Sequence, residues 1–332
     1  MRLSEIPGDR VILILGAPRS GTSWLAKIFD SHPDVLYRHE PDTVLRNEEL
    51  PWMCRPEDVG KYRDKAAVYL RQLIDTSTLK TAGSLPIFPK RYQGLIGSFL
   101  RTGIIYGLRS AELSGRVRRV ARSIRISNHL DLDRHPELRV VIKSVSSRGR
   151  ARLFAEALPG AYVIFIVRDP FGQVASMLRG AALGKFEDVV SVGEVLQTEQ
   201  ARQYGLTRER FFALPVVEQF AWNWAILNER AINDLADIDT ARVLSYQELG
   251  ADPIGMSREL FTFTGLRWER QTDNFLRRST NFRGRERYYQ VFKDTREAMN
   301  RWRKDLSLDD QHRIRAVVQE TSLAAFCAEV EG

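Results

Sequence analysis

In this chain the segment best suited to hold an anion is Gly16-Ala17-Pro18-Arg19-Ser20-Gly21-Thr22-Ser23-Trp24-Leu25. It follows a continuous apolar run, 11–15, and opens a helical pattern. In that setting a glycine-rich turn offers backbone N–H groups and a helix start to a phosphate. The G-x-x-x-x-G spacing from Gly16 to Gly21 matches the nucleoside-triphosphate loop. Thr22, however, stands where that motif has lysine, while Ser23 keeps a hydroxyl. The usual cation for β- and γ-phosphates is missing, and one appears three residues earlier, as Arg19. A tight strand-to-helix turn with a hydroxyl cap is the plainer alternative. Against it, a strand, two glycines, a cation and three hydroxyls occur together.

A second apolar run, 161–167, ends in Arg168-Asp169-Pro170 and leads into a helix bearing Ser176. Pro170 suits a first helical turn, where its missing N–H costs little. Arg168, at a strand's carboxyl end, points toward a ligand crevice. Ser176, two turns on, could meet the same anion. An arginine after a strand can equally be a solvated end-cap.

For proton transfer the sequence offers His39-Glu40-Pro41, after a short strand at 35–37. A carboxylate or an imidazole within reach of a hydroxyl could act as base. Glu40 could instead be a loop residue held by Arg38. Lys143 interrupts the apolar run 140–144. Burying it unpaired is costly, so we expect it to be aimed into the crevice.

These motifs carry a resemblance. Residues 18–25 resemble the 5'-phosphosulfate-binding loop of sulfotransferases that use 3'-phosphoadenosine 5'-phosphosulfate (PAPS), in the carbohydrate-type and bacterial form with arginine at position 19. The resemblance implies that Pro18, Arg19, Ser20, Gly21, Thr22, Ser23 and Trp24 form the 5'-phosphosulfate site. It also implies that Arg19 steadies charge on the oxygen linking phosphate to sulfur. Such a donor carries less charge than a triphosphate, and no metal is expected. Arg168 with Ser176 resembles the family's 3'-phosphate motif. Tyr246, in Ser245-Tyr246-Gln247-Glu248-Leu249, lies in a segment similar to its Tyr-Glu-Asp-Leu segment. Arg283-Gly284-Arg285 loosely resembles its Arg-Lys-Gly loop over the 3'-phosphate, in a different order; such a charge run is also often a solvated face.

A Glu-Pro at the place of Glu40-Pro41 supplies a carboxylate in carbohydrate-type and bacterial members, which makes Glu40 the expected base and His39 the alternative. The cytosolic members' catalytic histidine has no counterpart near Lys143. Lys143 is then expected to face the sulfate or the acceptor. The implied reaction is in-line sulfuryl transfer from PAPS to a hydroxyl of a carbohydrate, glycolipid or small natural product. The product nucleotide would be 3'-phosphoadenosine 5'-phosphate (PAP). The resemblance spans nearly the whole chain and is specific at the two phosphate motifs.

The elements that must position these groups are legible from periodicity. Strand patterns at 11–15, 35–37, 139–145, 161–167 and 240–245 alternate with helical ones. That order predicts an α/β, P-loop-like three-layer fold with a central, mostly parallel sheet and helical insertions. Ligands then bind beyond the carboxyl ends of the strands. Residues 1–332 read as one domain with a helical insertion at about 57–126. Residues 215–237 form a long helix candidate with Val217, Phe220, Ala221, Trp224, Leu227 and Ile232 on its apolar side. The row Leu95, Ile96, Phe99, Leu100, Ile104, Ile105 and Leu108 is followed by five arginines in 116–125. Together they could wall the acceptor site, touch an anionic membrane surface, or be an ordinary packed helix beside solvated arginines.

Net charge of +8 suits an anionic partner. No nucleic-acid-binding signature is present, so nucleic acid is not the expected partner. A non-enzymatic binder of acidic glycan would leave the phosphate motifs unexplained. An ATP-dependent kinase would need lysine at position 22 and a Mg²⁺ carboxylate. Cys54 and Cys327 suggest neither a disulfide framework nor a zinc site. With no signal-peptide pattern at the start, we expect a cytoplasmic location.

Overall fold

The computed structural model describes residues 3–113, 124–126, 132–184, 192–280 and 295–328. The apolar runs become five strands: β1 Val11–Gly16, β2 Val35–His39, β3 Arg139–Ser144, β4 Tyr162–Val167 and β5 Ala241–Ser245. They lie in the order β2-β3-β1-β4-β5, and every neighbouring pair is parallel. All five carboxyl ends therefore share one edge of the sheet. The segments leaving that edge hold Arg19, Glu40 and Arg168, and Tyr246 opens the helix Tyr246–Ala251 directly after β5.

Alternation along each strand feeds two cores. Val11, Leu13, Leu15, Val140, Ile142, Val163 and Phe165 face one side. Ile12, Ile14, Val141, Ile164 and Ile166 face the other. Helix α1 (Thr22–Asp30) covers the second face through Trp24, Leu25, Ile28 and Phe29. Helix α2 (Val59–Asp75) and the helices Pro170–Ala182 and Val216–Leu235 cover the first. The result is the expected α/β fold, helices on both faces of a parallel sheet.

One detail differs from the sequence reading. Strand β2 runs two residues further than expected, because His39 pairs in register with Lys143. His39 is thus the last residue of a strand rather than part of the following loop. Within the stretch 57–126, helix α2 belongs to the main core through Ala66, Tyr69, Leu70 and Leu73. The Gly94–Leu113 helix buries Ile105 but leaves several large apolar side chains in solvent.

Candidate active site

Between β1 and α1 the chain must turn under the ends of two neighbouring strands. A Cβ on Gly16 would lie 2.6 Å from the Ile166 carbonyl oxygen. Gly21 has φ +99°, and a Cβ there would lie 2.3 Å from Tyr246 Cδ2. Both positions exclude a side chain. Arg19 also takes a left-handed conformation, φ 72°, which is uncommon for a residue with a Cβ. Such strain persists only where the surroundings enforce it. Here Arg19 Nε donates to Ser176 Oγ at 2.9 Å. Ser20 and Thr22 are buried, Pro18 is half-buried and Ser23 is exposed. Ser20 Oγ has no hydrogen-bond partner among the described residues. A buried hydroxyl left so is costly unless a ligand completes it. The first N–H groups of α1 also lack intrahelical acceptors, as at any helix start. Trp24 is an anchor: its indole N–H donates to Ser279 Oγ at 3.3 Å, and its ring meets Tyr246 edge-on.

Arg168 leaves the end of β4 and is fixed from several sides. Its Nη1 donates to the Arg19 carbonyl at 3.3 Å and its Nη2 to the Ala298 carbonyl at 2.8 Å. The guanidinium lies 4.9 Å from the centre of the Tyr246 ring, a cation–π contact. The Trp224 indole N–H donates to the Arg168 carbonyl at 2.9 Å. Asp169 is buried next to it and accepts the Gly172 N–H at 2.6 Å, capping the Pro170–Ala182 helix. Gln247 closes a reciprocal pair: its amide donates to Asp169 Oδ2, and the Asp169 N–H donates to Gln247 Oε1 at 3.2 Å. Arg168 and Ser176 do not bond each other; each meets Arg19 instead, one at its carbonyl and one at its side chain. Tyr246 lies under both the loop at Gly21 and Arg168. Arg283, Gly284 and Arg285 lie outside the described residues.

At the end of β2, Glu40 takes φ 46°, the second left-handed residue with a side chain in the described chain. Lys143 Nζ donates to Glu40 Oε1 at 2.5 Å, and the Glu40 N–H donates to the Lys143 carbonyl at 2.8 Å. Lys143 is therefore not aimed alone at the crevice; its ammonium is paired with the expected base. Burial opposes ionisation of Glu40, but Lys143, with His39 and Lys80 adding to it, outweighs burial and holds the carboxyl down at about 2. Arg38 does not hold Glu40. Its Nε donates instead to the Ile74 carbonyl of α2 at 2.8 Å. Burial, with Lys143 adding to it, lowers His39 to about 3. His39 Nδ1 lies 2.8 Å from the Tyr37 hydroxyl. Tyr37 is held protonated by its own burial. The tautomer in which Nδ1 accepts from Tyr37 puts the imidazole proton on Nε2. His39 then has no free lone pair for a substrate proton.

Sequence reading missed Asp42. It is buried, and its Oδ2 accepts from Ser147 Oγ at 2.7 Å and from Ser144 Oγ. Its Oδ1 has no partner among the described residues. Burial pushes its carboxyl up, against the two hydroxyls. Thr43 Oγ1 donates to the Glu40 carbonyl at 2.7 Å, and Lys80 donates to Thr43. Gln247 was missed likewise. Both depend on pairings across distant segments that leave no local pattern. His32, Asp34 and Glu269 approach one another closely enough to suggest a metal. Arg91 ion-pairs with both Asp34 and Glu269, and His32 Nε2 sits 2.9 Å from the Arg267 carbonyl. Those donors are already engaged.

The two halves of the site leave the same sheet edge. The Gly16–Gly21 loop follows β1 and Glu40 follows β2, with β3 between. Two strand spacings separate them, about 10 Å. That gap suits a donor anion on one side and an acceptor hydroxyl on the other.

A family model described as the sulfotransferase family matches residues 11–270. Mouse carbohydrate sulfotransferase 5 is 24 % identical over 328 residues, covering 90 % of this chain and 76 % of that protein. Among solved structures, the sulfotransferase domain from the curacin biosynthetic pathway aligns with a TM-score of 0.45 at 14 % identity. That alignment covers 95 % of this chain and 98 % of that one. Mouse sulfotransferase SULT7A1 complexed with PAP aligns with a TM-score of 0.42 at 13 % identity, covering 98 % and 90 %.

Proposed function

The chain belongs to the sulfotransferase family, and on that premise we propose that it transfers a sulfuryl group from PAPS to an acceptor hydroxyl, with Glu40 as the base. The observation that carries this reading is the interlock of Arg19, Ser176 and Arg168 around a loop whose buried Ser20 hydroxyl is unsatisfied. Two cations, a helix start and a spare buried hydroxyl suit a ligand with two separate anionic ends. The loop, with Arg19, Ser20, Thr22 and Ser23, would hold the 5' end. Arg168, with Ser176 beside it, would hold the 3'-phosphate. When bound, the donor supplies an electrophilic sulfur and a phosphate leaving group.

The chain's residues then do three things. Arg19 neutralises charge growing on the oxygen that parts from sulfur. Glu40 accepts the hydroxyl proton as the acceptor oxygen bonds to sulfur and the sulfur–phosphate bond breaks. Lys143 keeps Glu40 ionised. A carboxylate near 2 is a weak base at neutral pH, so proton transfer must come late, once bonding to sulfur has made the hydroxyl acidic. The acceptor we propose is a carbohydrate, glycolipid or small natural product bearing a hydroxyl, a reading in line with the 24 % identical mouse carbohydrate sulfotransferase 5.

Two measurements test the reading together: titration with PAP and with AMP, and transfer of labelled sulfate from PAPS into fractionated extracts. Preference for PAP and a labelled product support it. Equal affinity for PAP and AMP would remove the 3'-phosphate clamp, and absence of label in every fraction would remove the activity.

A further inference from the structure

The Gly94–Leu113 helix is amphipathic in the inverted sense. Ile96, Phe99, Leu100 and Ile104 are 77 %, 79 %, 58 % and 57 % exposed. Gly103, Tyr106 and Gly107 are exposed with them. At 3.6 residues per turn these positions fill about half the circumference. The side chains of Ser98, Arg101 and Arg109 point the other way, into the protein. Arg101 Nη2 donates to the Ala82 carbonyl at 2.8 Å. Arg109 donates from Nε to the Gly83 carbonyl at 3.0 Å and from Nη2 to the Leu79 carbonyl at 2.9 Å. The Lys90 N–H donates to Ser98 Oγ at 3.0 Å. These bonds fix the helix's rotation. Turning the apolar face inward would break all of them, so its exposure is not slack in the packing.

Contiguous apolar surface of this kind marks an interaction site. No described residue on the outward face is charged. Beyond the helix, from Ser114 to Ile126, the sequence holds five arginines and no acid. The whole chain carries +8. A second copy of the chain would bring the same positive charge to the contact, whereas an anionic bilayer opposes it with negative charge. The helix is 20 residues long, about 30 Å, but no described helix is long and apolar enough to cross a membrane. A helix with these properties lies in the plane of the bilayer surface with its apolar side chains among the acyl chains.

We infer that the Gly94–Leu113 helix docks this enzyme on an anionic lipid surface, with Ile96, Phe99, Leu100 and Ile104 inserted. This docking face is separate from the phosphate-binding loop, and the inference stands whether or not PAPS is the donor.

Co-sedimentation of the full chain with vesicles tests it. One set is phosphatidylcholine alone and the other contains phosphatidylglycerol. The wild type is expected to sediment with the anionic vesicles, to stay in solution with the neutral ones, and to be released by salt. The double variant Phe99→Ser, Leu100→Ser should lower the partition coefficient about tenfold or more, with an unchanged melting temperature because both side chains already lie in water. Light scattering runs in parallel. A wild type that stays in solution with anionic vesicles overturns the inference, as does a double variant that binds as well as wild type. A wild-type dimer that the same substitutions convert to monomer also overturns it, and makes the face a contact between copies.

Discussion

Lys143 and Glu40 meet twice, through an ammonium–carboxylate contact of 2.5 Å and through a Glu40 N–H donating to the Lys143 carbonyl at 2.8 Å. The backbone bond continues the β2–β3 ladder one residue past its last pair, His39 with Lys143. It thereby fixes the left-handed turn at Glu40. The side-chain bond sets that residue's charge. One lysine thus decides both where the carboxylate stands and whether it is ionised.

Glu40→Gln should separate chemistry from nucleotide binding. The amide keeps the size and can hydrogen-bond, but cannot take a proton. A positioned base contributes about 10²–10⁴-fold to rate, so kcat should fall within that range while the PAP-induced thermal shift is unchanged. His39→Gln should cost less. A dead His39→Gln beside an active Glu40→Gln would reverse the two roles.

Lys143→Met should give the enzyme a pH dependence it lacks. With Lys143 present, Glu40 stays ionised down to about 2, so it imposes no acid limb on kcat in the ordinary assay range. Without that lysine, burial acts unopposed by its main partner and raises the carboxyl. The kcat profile should then fall on the acid side as Glu40 becomes protonated. A profile identical to wild type would show that Lys143 does not control the base.

Acid stability should be lost in two stages. His39 is lowered from its ordinary 6.5 to about 3, and Glu40 from 4.5 to about 2. A group whose folded pKa is depressed adds stability above its unfolded pKa and loses it as pH falls toward the folded one. The His39 contribution therefore declines below 6.5 and the Glu40 contribution below 4.5. Melting temperatures should fall less steeply in His39→Gln between 6.5 and about 3, and less steeply in Glu40→Gln between 4.5 and about 2. Parallel curves for all three proteins would contradict the assignment.

Arg168→Ala should weaken PAP binding by about 1.5–3 kcal/mol, the worth of a charge-assisted hydrogen bond. Titration calorimetry reads this directly. AMP affinity should change much less, because the substitution removes the proposed 3'-phosphate partner. Equal losses for both nucleotides would mean that Arg168 acts by holding the Arg19 carbonyl, and so shapes the 5' site.

Gly21→Ala should destabilise the protein for two separable reasons. A left-handed φ costs a residue with a Cβ about 1–3 kcal/mol, and that Cβ would strike Tyr246. Adding Tyr246→Ala in the same chain should recover the clash but not the backbone cost. Thermal unfolding of the single and double variants distinguishes them. A Gly21→Ala protein as stable as wild type would show that the loop adopts another conformation.

Much of this protein was determined by its sequence alone. The apolar runs fixed strand identity, because β-branched and aliphatic residues without polar alternation suit only strands buried on both faces. The alternation of strand and helix fixed the parallel sheet. Gly16, Arg19 and Gly21 made the turn that we propose binds phosphate legible because its geometry is local: a few backbone N–H groups, a turn and a helix start.

What only the tertiary structure decided lies between segments far apart in the chain. Lys143 reaches Glu40 because β2 and β3 are neighbours in the sheet, although 103 residues separate them. Asp42 gathers Ser144 and Ser147 by the same adjacency. Arg19 meets Ser176 across 157 residues because β1 and β4 are neighbours. Arg38, two residues before Glu40 in sequence, is removed from it because its guanidinium is bonded to the Ile74 carbonyl of α2. The outward rotation of the Gly94–Leu113 helix was equally hidden. A row of apolar residues at helical spacing shows that a helix has an apolar face. Only its bonded partners, here at Arg101, Arg109 and Ser98, show which way that face turns.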